Sequence, residues 1–392
     1  MSLLKCRPIG ELVDTVQTSN PLRADPDESF QYIDLSAIDQ KEKTITGARE
    51  LACSEAPSRA RQIIETDDIL VSTVRPNLNG VAKVAARLTG AIASTGFCVL
   101  RPRRNLLHSS YLFHWVKSPQ FVADMVNKAT GASYPAVSDR IVWASNIPLP
   151  PLPEQRRIAA ILDQADALRT QRREALALLD SLTQSIFIEM FGDPVRNSKC
   201  WPQMPFSQVC DTRLGKMLDQ KQQTGNHLRK YLRNANVQWF RFDLPDIFEM
   251  DFDADAREVF RLRSGDLLIC EGGEPGRSAI WRDEIAECYY QKALHRGRPN
   301  PELAIPEYLA WLLWFLAHRG GLGDYVTSAT IAHLTGEKLK AMAIPVPPMT
   351  IQRKFAQRQK CVDRIKTSHR VSLAELDAIF ASLQHSAFRG EL

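Results

Sequence analysis

The fold is indicated most clearly by residues 147–194, which read IPLPPLPEQRRIAAILDQADALRTQRREALALLDSLTQSIFIEMFGDP. A proline-rich segment comes first, and residues 154–191 then contain neither glycine nor proline over 38 positions. An α-helix of that length extends roughly 57 Å at about 1.5 Å per residue. Gly192, Asp193 and Pro194 form a strong stop signal. The stretch therefore predicts a rigid hinge followed by one long helix.

This predicted helix carries a heptad pattern. Eight of the ten a and d positions between residues 158 and 189 are apolar, which is typical of a coiled coil. The larger apolar residues at these positions are Ile158, Ile161, Leu168, Leu179, Leu182 and Ile186.

The hinge and the helix both occur twice. Residues 147–151, followed by Gln155 and Arg156, recur as residues 344–348, followed by Gln352 and Arg353, at an offset of 197. The second helix is expected from about residue 350 to 389 and is apolar at six of ten matching positions, which are Phe355, Val362, Ile365, Leu376, Ile379 and Leu383. Two amphipathic helices in one chain most simply pair with each other, antiparallel. Their remaining apolar faces can also seat helices of another protein.

Each copy also contains about 140 residues with short strand-like runs, such as 69–74, 96–100 and 266–270, bounded by turn residues. The expected fold class is α+β. It consists of a tandem duplication of a mixed α/β domain plus a long helix, with the helices paired as an antiparallel coiled coil and pseudo-twofold symmetry overall. The expected domains are residues 1–150, 151–200 (helical), 201–347 and 348–392 (helical).

Composition excludes several classes of protein. The 392 residues are 44% hydrophobic and 24% charged, with a net charge of +5, which is ordinary for a globular protein. The N-terminus has no apolar stretch of signal-peptide length, and the strongest apolar run, residues 308–317, is about half of what a bilayer requires. We therefore expect a cytoplasmic protein. The eight cysteines are scattered without a C-x-x-C pair, so we expect reduced thiols and no metal site.

The charge distribution favours nucleic acid as a partner. Residues 1–68 have a net charge of −5, whereas residues 69–140 have +7 and residues 213–241 have +6. Basic segments of this kind can neutralise phosphates. Amide side chains suited to base edges lie nearby, namely Asn77, Asn79, Asn234, Asn236 and Gln238.

Enzyme motifs are missing from the sequence. It contains no G-x-G-x-x-G, no phosphate-binding loop, no H-E-x-x-H and no G-x-S-x-G. One loose nuclease-like pattern, Asp27, Asp39 and Lys41, would place two carboxylates and a lysine around a metal. Since such a pattern is common by chance, an autonomous nuclease is the weakest hypothesis.

The hinge, the first long helix and two strand segments before them carry a family resemblance. Segment 147–194, which follows DDILVSTVRPNLNGVAKV (67–84) and STGFCVLRP (94–102), strongly resembles the specificity subunit of type I restriction-modification systems. The resemblance extends over essentially the whole chain. The second copy departs from the pattern at residues 349–352, where Met-Thr-Ile-Gln stands in place of Leu-Pro-Glu-Gln.

The resemblance implies a non-catalytic subunit that binds double-stranded DNA. Two target-recognition domains would each read one half of a bipartite site. The paired helices would hold the domains apart, so that the half-sites lie on the order of one to one and a half DNA turns from each other. Two modification subunits would bring S-adenosylmethionine and methylate adenines. Restriction subunits would add ATP- and Mg-dependent translocation and cleavage. No cofactor is expected in this chain, and no membrane partner.

Candidate DNA-binding residues are carried over only to matching loops. In the first domain they are Arg75, Asn77, Asn79, Lys83, Ser133, Tyr134 and Arg140. In the second domain they are Glu274, Arg277, Thr330, His333 and Lys338. Glu274 can accept a hydrogen bond from a cytosine amino group or simply pair with Arg277. His333 is more often a packed loop residue than a base reader.

One further hypothesis belongs to a different class. Two binding domains on a coiled-coil arm would also suit a protein-binding scaffold without DNA specificity. Salt-insensitive binding with no preference for DNA distinguishes that alternative.

Overall fold

A computed structural model of the chain describes residues 5–131, 133–218, 224–326 and 332–392. It divides into two compact units: residues 1–176 with 369–392 form unit 1, and residues 177–368 form unit 2. Each unit is mixed α and β, as the sequence predicts. No helix in the described ranges combines the length and apolar character that crossing a membrane requires.

Unit 1 contains two four-stranded sheets, ordered β6-β3-β10-β7 and β2-β11-β8-β9, and the short pairs β1-β12 and β4-β5. Its helices are α1 (Ser109–Val116), α2 (Pro119–Lys128), α3 (Asp139–Ala144) and the first part of α4 (Leu152–Phe191). Its strands are β1 (Cys6–Pro8), β2 (Val13–Asp14), β3 (Ser29–Ile33), β4 (Ile38–Asp39), β5 (Thr44–Ile45), β6 (Arg49–Ala52), β7 (Ala60–Ile63), β8 (Ile69–Ser72), β9 (Val81–Lys83), β10 (Ile92–Ser94), β11 (Phe97–Pro102) and β12 (Asn146–Pro148).

Unit 2 has a similar arrangement, with a four-stranded sheet ordered β14-β22-β19-β20, a three-stranded sheet ordered β18-β15-β21, and the pairs β13-β23 and β16-β17. Its helices are α5 (Phe206–Val209), α6 (Ala254–Phe260), α7 (Pro306–His318), α8 (Gly336–Ala341) and the first part of α9 (Met349–Arg389). Its strands are β13 (Gln203–Pro205), β14 (Cys210–Leu214), β15 (Leu228–Leu232), β16 (Val237–Gln238), β17 (Arg241–Phe242), β18 (Phe248–Asp251), β19 (Leu267–Cys270), β20 (Ser278–Ile280), β21 (Tyr289–Tyr290), β22 (Leu294–Pro299) and β23 (Ala343–Pro345).

One strand inside the main sheet of each unit, β8 or β19, has both faces covered, which favours apolar residues: the first three residues of β8 and all four of β19 are apolar. In β8, Ile69 and Val71 pack into one hydrophobic cluster and Leu70 into another. Strand β19 divides its side chains in the same way. The two units therefore share one framework, although their globular sequences have diverged.

The hinge is anchored identically in both units. The hydroxyl of Tyr111 donates to the Pro148 carbonyl at 2.9 Å, and that of Tyr308 donates to the Pro345 carbonyl at 2.7 Å. Both tyrosines are buried in helices that pack against the sheet. Helices α4 and α9 then begin at residues 152 and 349, within two residues of the predicted starts.

The long helices pair antiparallel within each unit. In unit 1, Arg157 at the start of α4 donates to the carbonyl of Leu392, and Arg169 Nε lies 2.6 Å from Asp377 Oδ1. In unit 2, Lys366 Nζ lies 2.8 Å from Asp180 Oδ1 on the opposing helix. These contacts confirm the predicted pairing.

The buried seam differs from the expected a and d positions. Positions a and e line it: residues 162, 183, 366, 380 and 387, all at e, are at most 8% exposed. Four predicted d residues are instead 45–51% exposed, namely Leu168, Leu182, Ile365 and Ile379. The other eight predicted seam residues are buried or half-buried. The reason is that α4 and α9 also pack on the globular core, which Ile158, Leu162 and Phe388 contact in unit 1. The buried face of each helix is therefore a different one from the face that helix pairing alone would bury.

Candidate nucleic-acid interface

Two loops meet at one edge of the sheet in unit 1. Residues 73–80 follow β8, and residues 130–138 precede the hinge. A bridge joins Val74 to Ala136, and the backbone N–H of Arg75 donates to the Pro135 carbonyl at 2.7 Å. Both segments were singled out from the sequence as separate loops, and the structure brings them together.

Unit 2 makes the equivalent junction. A bridge joins Gly272, after β19, to His333, before the second hinge. The N–H of Leu334 donates to the Glu271 carbonyl at 2.7 Å. Each unit therefore presents the same pair of loops, carrying different side chains.

Four of the predicted residues in unit 1 are exposed at this junction: Arg75, Asn77, Ser133 and Tyr134. The guanidinium carbon of Arg75 lies 4.8 Å from the centre of the Tyr134 ring, within the range of a cation–π contact. Arg140 is also exposed, on α3.

The other two predicted residues of unit 1 are engaged within the protein. The carbonyl of Asn79 accepts from Lys43 Nζ at 2.5 Å, and its side-chain nitrogen lies 3.5 Å from the Lys117 carbonyl. Burial and the neighbouring Lys117 hold the pKa of Lys43 below its ordinary value. Lys83 Nζ lies 3.1 Å from both Asp67 Oδ1 and Ser110 Oγ.

The unit 2 candidates are more strongly tied to their surroundings. Glu274 accepts from the indole N–H of Trp239 at 2.5 Å and lies 3.3 Å from Arg277 Nη1. Arg277 also donates to the Asn234 carbonyl at 3.1 Å. The pairing of Glu274 with Arg277, one of the two alternatives raised above, is present. Sequence reasoning missed Trp239, since nothing in the spacing links residue 239 to residue 274.

The remaining candidates of unit 2 are a packed histidine, a helix lysine and a threonine. The ring of His333 lies so close to Gly272 that a Cβ on that glycine would come within 2.9 Å of it, as expected for a packed loop residue. Lys338 is half-buried in α8. Thr330 lies outside the described residues.

The basic segment of residues 69–140 is largely neutralised within the protein. Six of its nine cations pair with carboxylates: Lys83, Arg101, Arg103, Arg104, Lys117 and Lys128. Most of these acids come from the acidic residues 1–68. Among described residues, no carboxylate lies within 4 Å of the other three cations, Arg75, Arg87 and Arg140. The net charge of residues 69–140 therefore overstates the number of cations that are available to bind DNA phosphates.

Three amides singled out for base edges in the second basic segment are structural instead. Asn236 is 2% exposed and donates to the carbonyls of Asp243 and Asp246. Asn234 donates to Gly272, and Gln238 to Ala235. These amides hold their own loops in shape.

The nuclease-like pattern forms no site. Asp39 Oδ1 accepts the backbone N–H groups of Lys41 and Glu42 at 2.8 and 2.9 Å, and these hydrogen bonds lower the Asp39 pKa. Asp39 therefore caps its own turn. No group of three or more potential metal ligands occurs among the described residues.

A family model now adds to this geometry. The model for the type I restriction modification DNA specificity domain matches residues 45–178 and 201–377, once in each copy. The chain belongs to this specificity family. The two matches agree with the duplication inferred from the hinge and helix.

Individual relatives of this specificity chain point the same way. The EcoKI specificity subunit of Escherichia coli K12 is 24% identical over 84% of this chain and 76% of its own length. The MjaVIII specificity subunit of Methanocaldococcus jannaschii is 22% identical over 70% of this chain and 68% of its own.

Solved structures are similar over nearly the full length. A chain from a study of complex assembly and conformational transition of the type I R-M system is 27% identical, covers 100% of this chain and 99% of its own, and superposes with a TM-score of 0.64. The S subunit from M. genitalium, at 14% identity, covers 99% of this chain and 96% of its own and shares the fold with a TM-score of 0.56.

Proposed function

We propose that this chain is the DNA-reading subunit of a type I restriction-modification complex and has no catalytic activity of its own. The observation that carries the proposal is the repeated loop junction, Val74 to Ala136 in unit 1 and Gly272 to His333 in unit 2. A constant framework with different exposed side chains suits two readers of different base sequences. Residues 1–150 and 201–347 would be the recognition domains, each reading one half of a bipartite site.

The helical segments, residues 151–200 and 348–392, would set the spacing of the half-sites and dock two modification subunits. Support comes from the apolar side chains that the seam leaves exposed: Leu168 and Ile379 in unit 1, and Leu182 and Ile365 in unit 2. Exposed apolar residues on helix faces are suited to binding helices of a partner. S-adenosylmethionine, ATP and Mg would reside on modification and restriction subunits, and the complex would act on DNA in the cytoplasm.

The test is a footprint on duplex DNA by the full chain, purified together with the modification subunits of its host. The expected result is protection of two short segments separated by a fixed gap, with binding that weakens steeply as salt increases. The chain alone should bind more weakly, because docking orders and extends the interface. Salt-insensitive binding without DNA preference would instead favour the protein scaffold.

A further inference from the structure

The backbone of Arg75 is unusual for an arginine. Its φ is +50°, in the left-handed region, which side chains with a Cβ rarely adopt and glycine adopts readily. At the equivalent point of unit 2 the chain has Gly273, with φ +76°. Unit 1 therefore keeps an arginine at a position where the framework favours glycine. Strain of this kind at an exposed loop points to a functional role for the side chain.

Tyr134 lies close enough to Arg75 to orient its guanidinium. The guanidinium carbon is 4.8 Å from the ring centre, and the Arg75 N–H donates to the carbonyl of Pro135, the residue after the tyrosine. The Tyr134 side chain is 68% exposed, so its ring is displayed at the surface rather than packed in the core. Gly131, with φ +102°, fixes the turn, since a Cβ there would come within 2.9 Å of the Tyr134 carbonyl oxygen.

The charge of Arg75 is not paired with an acid in the part of the chain that the structure describes. Within the described ranges no carboxylate lies within 4 Å of it, whereas six of the nine cations in its segment are paired. A cation–π contact needs no hydrogen bond from the guanidinium, so its N–H groups stay available to a ligand. A planar fork of donors matches two acceptors side by side, such as O6 and N7 of guanine in the major groove.

We propose that Arg75 reads a guanine in the half-site bound by unit 1 and that Tyr134 is the positioning residue that holds its guanidinium in place. This inference rests on the proposed DNA-reading function and names one base of the target. The alternative use of a free arginine, contact with a phosphate, would carry no base preference.

The experiment selects bound duplexes from a randomised DNA library with the full chain in complex with its modification subunits. The key variant is Arg75→Gly, because glycine suits the left-handed backbone and the framework should remain intact. Arg75→Lys keeps the charge without the fork. Tyr134→Phe keeps the ring and Tyr134→Leu removes it. Arg23→Ala, an exposed arginine in a short helical turn elsewhere in unit 1, is the control for charge.

Wild type should enrich guanine at one position of one half-site, by about tenfold to hundredfold over other bases. Arg75→Gly should abolish that enrichment while the other half-site stays unchanged and thermal unfolding is not lowered. Arg75→Lys and Tyr134→Leu should weaken it, whereas Tyr134→Phe and Arg23→Ala should retain it.

Three results would overturn the inference: guanine enrichment that survives Arg75→Gly, uniform weakening of all sequences without altered preference, or equal behaviour of Tyr134→Leu and Tyr134→Phe. A wild-type complex that selects no split motif would reject the proposed function itself, and the assignment of Arg75 with it.

Discussion

One glutamine in each copy holds the hinge to the globular core. Gln155 Oε1 accepts the N–H of His108, and its Nε2 donates to the carbonyls of Leu106 and Pro150 at 2.9–3.0 Å. Gln352 makes the same three bonds to residues 305, 303 and 347 at 2.8–3.0 Å. Both side chains are at most 1% exposed. The glutamine recurs in the sequence because its side chain makes the same three hydrogen bonds to backbone groups in both copies.

Gln155→Ala should lower the free energy of unfolding by about 2–3 kcal/mol, because it leaves buried backbone groups without hydrogen bonds. Gln164→Ala, an exposed position on the same helix, should change it by less than about 0.5 kcal/mol. Urea denaturation of both variants measures the difference. Equal effects would mean that the hinge does not depend on this side chain.

In unit 1, the buried His114 stands at the position that Trp311 takes in unit 2. His114 is 1% exposed, and its Nε2 lies 2.7 Å from Asp163 Oδ1. Burial lowers the pKa of His114, and the hydrogen bond to Asp163 offsets only part of that shift. Lys117, the residue directly after the helix of His114, also opposes protonation, whereas Asp166 favours it.

The sign of the pH dependence follows from that lowered pKa. Below about pH 6.5 the unfolded chain binds a proton that folded His114 resists, so stability should fall as the pH drops toward 5. Denaturation across this range should be steeper for wild type than for His114→Gln, by up to about 1.4 kcal/mol per pH unit. The exposed control Gln164→Ala, which removes no titratable group, should retain the wild-type slope. A slope unchanged in His114→Gln would contradict this assignment.

At the scale of elements, α9 separates a buried stripe from an exposed one. The centre of the Phe388 ring lies 5.4 Å from the centre of the Tyr111 ring and 5.0 Å from that of the Trp115 ring. Ile379, nine residues earlier, is 51% exposed. Phe388→Ala should therefore cost about 3–5 kcal/mol of unfolding free energy, and Ile379→Ala less than about 0.5 kcal/mol. If both variants lose a similar amount of unfolding free energy in urea denaturation, the d positions are part of the buried seam after all.

The exposed stripe has a different expected role. Leu168→Asp and Ile379→Asp should reduce co-purification of the modification subunits by tenfold or more, a loss of about 1.4 kcal/mol, without lowering thermal stability. Ala167→Asp, also exposed on α4 but about 100° around the helix, is the matched control. If Leu168→Asp and Ile379→Asp both still co-purify the modification subunits as well as wild type does, these residues do not belong to the docking site.

Sequence periodicity predicted the long helices well but not their rotation. The absence of glycine and proline from residues 154–191 is a local signal, and the helix begins only two residues earlier. Which stripe is buried depends on the sheet and helices that α4 must cover, so Leu162 is buried and Leu168 exposed. Likewise the loops of Arg75 and Tyr134 were found separately, but their contact depends on tertiary structure. Charge pairing such as Arg101 with Asp68 is invisible in a net charge.

At the scale of the whole molecule, the two copies resemble each other more in their structural framework than in their sequence. The bidentate contact of Arg101 with Asp68 reappears as Arg298 with Asp266, at 2.7–2.9 Å in both. The exposed loop positions differ: Arg75 corresponds to Gly273 and Asn77 to Pro275. A constant framework with varied loops fits the reading of two unlike half-sites.

The most direct measurement is long-read mapping of N6-methyladenine in host DNA, with the gene for this chain present and deleted. We expect that one split motif, two short half-sites around a fixed gap, loses its methylation on deletion and regains it when the gene is restored. Unchanged methylation at every motif, in cells that express active modification subunits, would contradict the proposal that this chain directs them to DNA.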